Sequence, residues 1–96
     1  MTIEWTETAR QDLREIRRFI ARDSKKYAAR MIARIREAVE LMSAHPEAGH
    51  WLPEVESRNI REIYVASFRI VYRTRGETVQ VLTVIHGAQN FDGRLE

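Results

Sequence analysis

Between residues 57 and 75 the chain carries Arg58, Arg61, Arg69, Arg73 and Arg75, opposed only by Glu62. Arginine in place of lysine favours a planar anion, because the guanidinium fork matches phosphate and carboxylate oxygens. Four of these arginines fall inside "IREIYVASFRIVYRTRGETVQVLTVIHG", residues 60 to 87, which otherwise looks like three successive strands. A strand surface that mixes guanidinium and aliphatic groups could cut nucleic acid, grip a protein, or sit in water.

Other chemistries are poorly supplied. There is no cysteine, so neither a disulfide framework nor a thiolate metal site is available. His45, His50 and His86 make no ligand spacing such as HExxH, so no metal or other cofactor is expected. Sixteen Lys and Arg against fourteen Asp and Glu leave a formal charge of +2, too small to name a nucleic-acid partner by composition. The start, "MTIEWTETARQDL", has no apolar signal core, and no stretch approaches the roughly 18 apolar residues that span a bilayer. A cytoplasmic protein with no membrane partner is expected. With 96 residues there is room for one core, and a single domain over 1–96 follows.

The elements that must position the arginines can be read from periodicity. "TIEW" alternates as a short strand should, and Thr6 can cap a helix that starts at Glu7. Ala9, Leu13, Ile16 and Ile20 share one helical stripe, which predicts a helix over roughly 7 to 22. Asp23 or Ser24 breaks and recaps the chain. Ala28, Met31, Ile32, Ile35, Val39 and Met42 then repeat the stripe on a second helix that ends before Pro46. The short connection predicts an antiparallel hairpin, and "HPEAGHWLPEVESRN" reads as a loop to the sheet with Trp51 and Leu52 as anchors.

The fold class predicted is α+β: an N-terminal strand and a two-helix hairpin packed on one face of a small antiparallel sheet of three to four strands. With Arg75 and Gly76 as a two-residue turn, Thr74 pairs with Glu77 and Arg69 lies opposite Leu82. Phe68, Ile70 and Tyr72 then face the helices. Arg69, Val71, Arg73, Leu82, Val84 and His86 face outward by parity.

These residues, in this order, resemble the RelE/ParE superfamily of toxins from bacterial type II toxin–antitoxin systems, the ParE-like branch more than the RelE-like one. "ARQDLREIRRFIARDS" is similar to the family's first helix, "LMSAHPEAGH" to the end of its second helix with the following Pro and Gly, and "IREIYVASFRIVYR" with "VQVLTVIHGAQNF" to its final strands. The resemblance implies a toxin neutralised by a ParD-like antitoxin, acting as a hetero-oligomer with it when silent. ParE-like members poison DNA gyrase and block replication. RelE-like members are mRNA endonucleases that act in the ribosomal A site, so ribosome and mRNA are the alternative partners. The chain departs from the commoner ParE ending at Gln89, where an arginine is frequent.

Cleavage by the RNA's own 2′-hydroxyl needs a base, an acid and positive charge near the phosphorane. By similarity to one ribonuclease branch, Glu54, Arg69 and His86 would be the catalytic set. In the register above, Arg69 and His86 stand roughly 13 Å apart at about 3.3 Å per residue. The tail "GAQNFDGRLE" offers only Phe91 and Arg94 where ribonuclease members tend to be basic or aromatic. The expected activity is therefore protein contact without catalytic residues, with Arg61, Arg69, Val71, Arg73, Leu82 and Val84 as the antitoxin platform. The plain alternative for Arg69 is pairing with Glu62.

Overall fold

The computed structural model describes residues 1–52, 55 and 59–87. Strand β1 (Thr2–Trp5) leads directly into helix α1 (Glu7–Ala21), and helix α2 (Lys25–Ser43) follows after a three-residue break. Both helices begin where a hydroxyl can satisfy an orphan N–H. Thr6 Oγ1 accepts from the Ala9 amide at 3.1 Å, and Ser24 Oγ accepts from the Tyr27 amide at 3.1 Å. The Thr6 hydroxyl also donates to the Leu82 carbonyl at 2.9 Å, which ties the start of α1 to the last strand.

A 3-10 turn over Pro46–Ala48 ends the hairpin, and four strands complete the sheet: β2 (His50–Trp51), β3 (Ile60–Val65), β4 (Phe68–Arg75) and β5 (Thr78–His86). The sheet order is β1-β5-β4-β3-β2. It has five strands and is mixed, because β1 runs parallel to β5 while the other pairs are antiparallel. Parallel neighbours need a long crossover, and the helical hairpin together with β2–β4 supplies it. Strand β2 lies within the stretch that the sequence reads as loop.

The predicted apolar stripes meet the sheet as expected. Ala9, Leu13, Met31, Ile32, Ile35, Val39 and Met42 are buried with Ile70, Tyr72, Val79, Val81 and Val84 in one core. Val84 corrects the expected facing. The β4–β5 turn falls at Gly76 and Glu77, one residue later than predicted, with Arg75 opposite Thr78. Gly76 holds φ at +57° in the first turn position, where a type II′ turn reserves its place for glycine. That change alone moves Tyr72 from Val79 to Val81 and leaves the faces unaltered, since the slip along the partner is two residues.

A bulge then changes the parity. Val81 pairs with Tyr72 and Thr83 with Val71, so Leu82 has no partner in the ladder. Beyond it Val84 stands opposite Ile70 on the helix side, Ile85 opposite Arg69 on the far side, and His86 opposite Phe68. Asp12 on α1 fixes the distortion. Its Oδ2 accepts from the Thr83 hydroxyl at 2.5 Å and from the Val84 amide at 2.9 Å, and the carboxylate is buried.

The far face is also closed in part. Leu52, Val71, Leu82 and Ile85 form a second buried cluster, with Val55 and Ile60 packed against it. Burying each such side chain contributes about 1.5–3 kcal/mol, so this patch stays shut in the free protein. The expectation of an uncovered apolar platform does not hold there.

Candidate docking surfaces and the fate of the strand arginines

The arginines of the sheet are largely used up by the fold. Arg69 Nε donates to Glu62 Oε1 at 2.6 Å, and both side chains are at least nine-tenths buried. The Tyr64 hydroxyl donates to the other carboxylate oxygen of Glu62 at 3.1 Å. Arg69 and Glu62 lie on the same face because Tyr64 pairs with Arg69 and Glu62 with Val71, which puts their side chains on one diagonal. A charge so enclosed can be held only with its partner, since desolvating either ion alone costs several kcal/mol. The guanidinium is thus committed to Glu62 and is not presented to an external phosphate.

Arg61 corrects a second expectation. It stands opposite Tyr72, on the helix-side parity, and not beside Arg69 and Arg73. Its Nη1 donates to the carbonyls of Glu47 and Gly49, each at 2.9 Å, while its guanidinium lies 5.3 Å from the centre of the Trp51 ring. Arg61 therefore holds the 3-10 turn and β2 against β3. Tyr72 does the same from below: its hydroxyl donates to the Pro46 carbonyl at 2.5 Å and accepts from the Gly49 amide at 3.1 Å. A Cβ on Gly49 would lie 2.1 Å from that hydroxyl, so only glycine fits the approach. Burial raises the Tyr72 pKa above its ordinary value.

Arg73 does face outward, as expected, and belongs to a polar ladder. Its Nε donates to Gln80 Oε1 at 2.7 Å, and the Gln80 amide donates on to Glu4 of β1. Arg75 is exposed at the hairpin. Of the platform residues named from sequence, Arg73 alone is both outward and partly accessible; Val71 and Leu82 are outward but buried, and Val84 points to the helices.

The ribonuclease set is not assembled among the described residues. Arg69 pairs across the ladder with Ile85 and not Leu82, so His86 follows directly after its partner and the expected 13 Å separation does not apply. The two still do not converge. His86 is exposed and meets the edge of Phe68, whose ring packs against the helix-side core, at a centroid distance of 6.0 Å. Arg69 is on the opposite face. Glu54, Arg58 and Gln89 lie outside the described residues, as does the tail that carries Phe91 and Arg94. Among the described residues no group of three His, Asp or Glu side chains could hold a metal ion.

A further cavity lies elsewhere, and residue spacing on the strands gave no sign of it. A groove of about 550 Å³ runs between β1 and the helical hairpin, lined by Ile3, Trp5, Leu13 and Ile32, by Arg10, Arg14, Arg17 and Arg36, and by Thr2 and one acid, Glu4. Strand β1 is the sheet edge here. The amides of Thr2 and Thr6 donate inward to the carbonyls of Glu77, just before β5, and of Val81 within it, at 3.0 and 3.1 Å. Strand alternation then turns the Ile3 and Trp5 backbone groups toward the open side, where another extended chain could pair. Arg10 and Arg14 share Glu7 at 3.0 Å each, and their hydrogen bonds lower its pKa. Arg17 and Arg36 enter no ion pair among the described residues. Helical spacing on α1 was the available signal, because Arg10, Arg14 and Arg17 recur at steps of four and three.

A short strand, a helical hairpin and a mixed five-stranded sheet whose last strand returns beside the first define the RelE/ParE type of toxin fold. A chain of the chromosomal ParDE toxin–antitoxin system from P. aeruginosa superposes with a TM-score of 0.74 at 22% identity, over 90% of this chain and 95% of that one. A chain of the toxin–antitoxin complex RelBE2 from Mycobacterium tuberculosis gives 0.61 at 25% identity, over 88% and 95%. The sequence narrows the assignment further. The family model for the ParE toxin of the type II toxin–antitoxin system, parDE, matches residues 3–91, and Y4kP of Sinorhizobium fredii, described as a candidate toxin, is 34% identical over 91 residues, covering 93% of this chain and 91% of that protein. The chain belongs to the ParE toxin family of type II toxin–antitoxin systems.

Proposed function

We propose that this toxin acts by protein contact on DNA gyrase, stabilising broken DNA and stopping replication, and that it performs no covalent chemistry of its own. The observation that carries the reading is the Glu62–Arg69 pair at 2.6 Å. It commits to Glu62 the strand guanidinium that the ribonuclease resemblance assigns to catalysis, and it leaves His86 on the other face without it.

Its neutraliser is a ParD-like antitoxin in the cytoplasm, in a hetero-oligomer. The antitoxin site shifts from the outer sheet face to the β1 groove, because that groove offers what an acidic amphipathic segment requires. Ile3, Trp5, Leu13 and Ile32 give an apolar floor, the free edge of β1 offers backbone pairing, and four arginines line the walls. Arg73 and its ladder to Glu4 continue the polar surface around the same strand.

Two assays on purified toxin test the activity. Incubated with gyrase, plasmid and ATP, the toxin should accumulate linear DNA on protein denaturation; added to ribosomes programmed with messenger, it should leave the message intact. Codon-specific cleavage that disappears in His86→Ala would reverse the assignment to an mRNA endonuclease.

A further inference from the structure

Helix α1 gathers its arginines along one flank. At about 100° per residue, Arg10, Arg14, Arg17 and Arg18 share a sector with Glu7 of the first turn, which pairs with Arg10 and Arg14, while Asp12 and Glu15 fall outside it. The hollows along the helix differ in lining. Glu7, Asp12 and Glu15 line one with Thr8 and Gln11, whereas a separate hollow of about 430 Å³ is lined by Arg14, Arg17, Arg18, Ala21 and Lys25. The second contains no acid and no large apolar side chain. Arg14 is shared with Glu7, but Arg17, Arg18 and Lys25 enter no ion pair among the described residues. A surface whose charged groups are all cations, three of the four outside any ion pair among the described residues, has little to offer an amphipathic peptide and much to offer a row of phosphates.

We infer that the Arg14–Arg17–Arg18–Lys25 hollow binds the phosphate backbone of duplex DNA. The choice of duplex rests on the gyrase reading, in which the toxin works beside cut double-stranded DNA. It also fits the lining, because no aromatic ring is present to stack an unpaired base. Contact would be independent of sequence, since guanidinium and ammonium groups that bond to phosphates carry no base information. Arg14 and Arg17 line the β1 groove as well, so an acidic antitoxin segment seated there would draw on the same charges and loosen the DNA.

The test is fluorescence anisotropy of a labelled 20-base-pair duplex with purified toxin alone, without gyrase or antitoxin. With about four phosphates neutralised, log K should fall with log salt at a slope of about −3.6, or about 150-fold between 50 and 200 mM. In Arg17→Gln/Arg18→Gln/Lys25→Gln the slope should flatten to about −0.9, or about fourfold over the same range. Glutamine keeps helix propensity near that of Arg and Lys, and circular dichroism checks the fold. A control with the same charge change elsewhere on α2, Lys26→Gln/Arg30→Gln/Arg34→Gln, should keep a slope near that of the wild type. No binding at 50 mM salt, an equal loss in the control, or equally tight binding of a polyglutamate of matched charge would each overturn the inference. Because gyrase is absent, failure of the gyrase assay and failure of DNA binding are read separately.

Discussion

Replacing Arg69 by Met should cost about 3–5 kcal/mol, the loss typical when one partner of a buried ion pair is removed. The magnitude follows from enclosure: Glu62 is 3% exposed and Arg69 7%, and they meet at 2.6 Å, so Glu62 would be left with little beyond the Tyr64 hydroxyl at 3.1 Å. Against a total stability of about 5–14 kcal/mol for a domain of this length, that is a large fraction. Urea titration followed by circular dichroism at pH 7 would read it as a midpoint lowered by about 2 M, for an m-value near 2 kcal/mol per M. The double variant Glu62→Leu/Arg69→Met should recover most of the loss, because a well-packed apolar pair often equals or exceeds a buried ionic one. The recovered double variant is also the functional test. If Arg69 only supports the fold, it should still trap gyrase on cut plasmid. A single-variant cost under about 1 kcal/mol, as for exposed ion pairs, would refute the enclosure argument, and a stable double variant without toxicity would make Arg69 a functional group.

Asp12→Ala should lower stability by about 2–4 kcal/mol by stranding the Thr83 hydroxyl and the Val84 amide at the bulge; a thermal midpoint unchanged from wild type would remove Asp12 from that role. Gly49→Ala should cost 2 kcal/mol or more, roughly, since its Cβ would displace the Tyr72 hydroxyl from 2.1 Å, and urea midpoints compare it directly with wild type. The Tyr72 pKa is raised by burial above its ordinary 10.0. Above about pH 10 the unfolded chain therefore releases this proton while the native state keeps it, so stability falls as pH rises toward the folded value. Tyr72→Phe should lose this component of the alkaline slope, and an identical slope in both proteins from pH 9 to 11 would show that Tyr72 does not titrate that way.

Much of the architecture was legible because it depends on short-range periodicity. Ala9, Leu13, Ile16 and Ile20 repeat at helical steps, Thr6 and Ser24 can cap, and Pro46 cannot continue a helix. Each of these acts within a turn or two of chain, and each holds in the structure. The ParE resemblance was legible for the same reason, as ordered segments whose residue types reflect those constraints. Strand β2 was missed because two residues leave no period to detect.

What the linear chain determined was which residues are helical, which are extended, and which toxin family their order belongs to. Tertiary contact alone decided what the arginines do. An unpaired Leu82 in β5 reverses the facing of everything after it, and its support, Asp12, lies 71 residues away from Thr83 along the chain. Whether Arg69 is a phosphate ligand or a buried partner depends on the burial of Glu62, and whether α1 offers a flank of free cations depends on where Glu7 and β1 fall beside it. Periodicity fixes the direction of a side chain relative to its own element. The charge it meets there is set by elements distant in sequence.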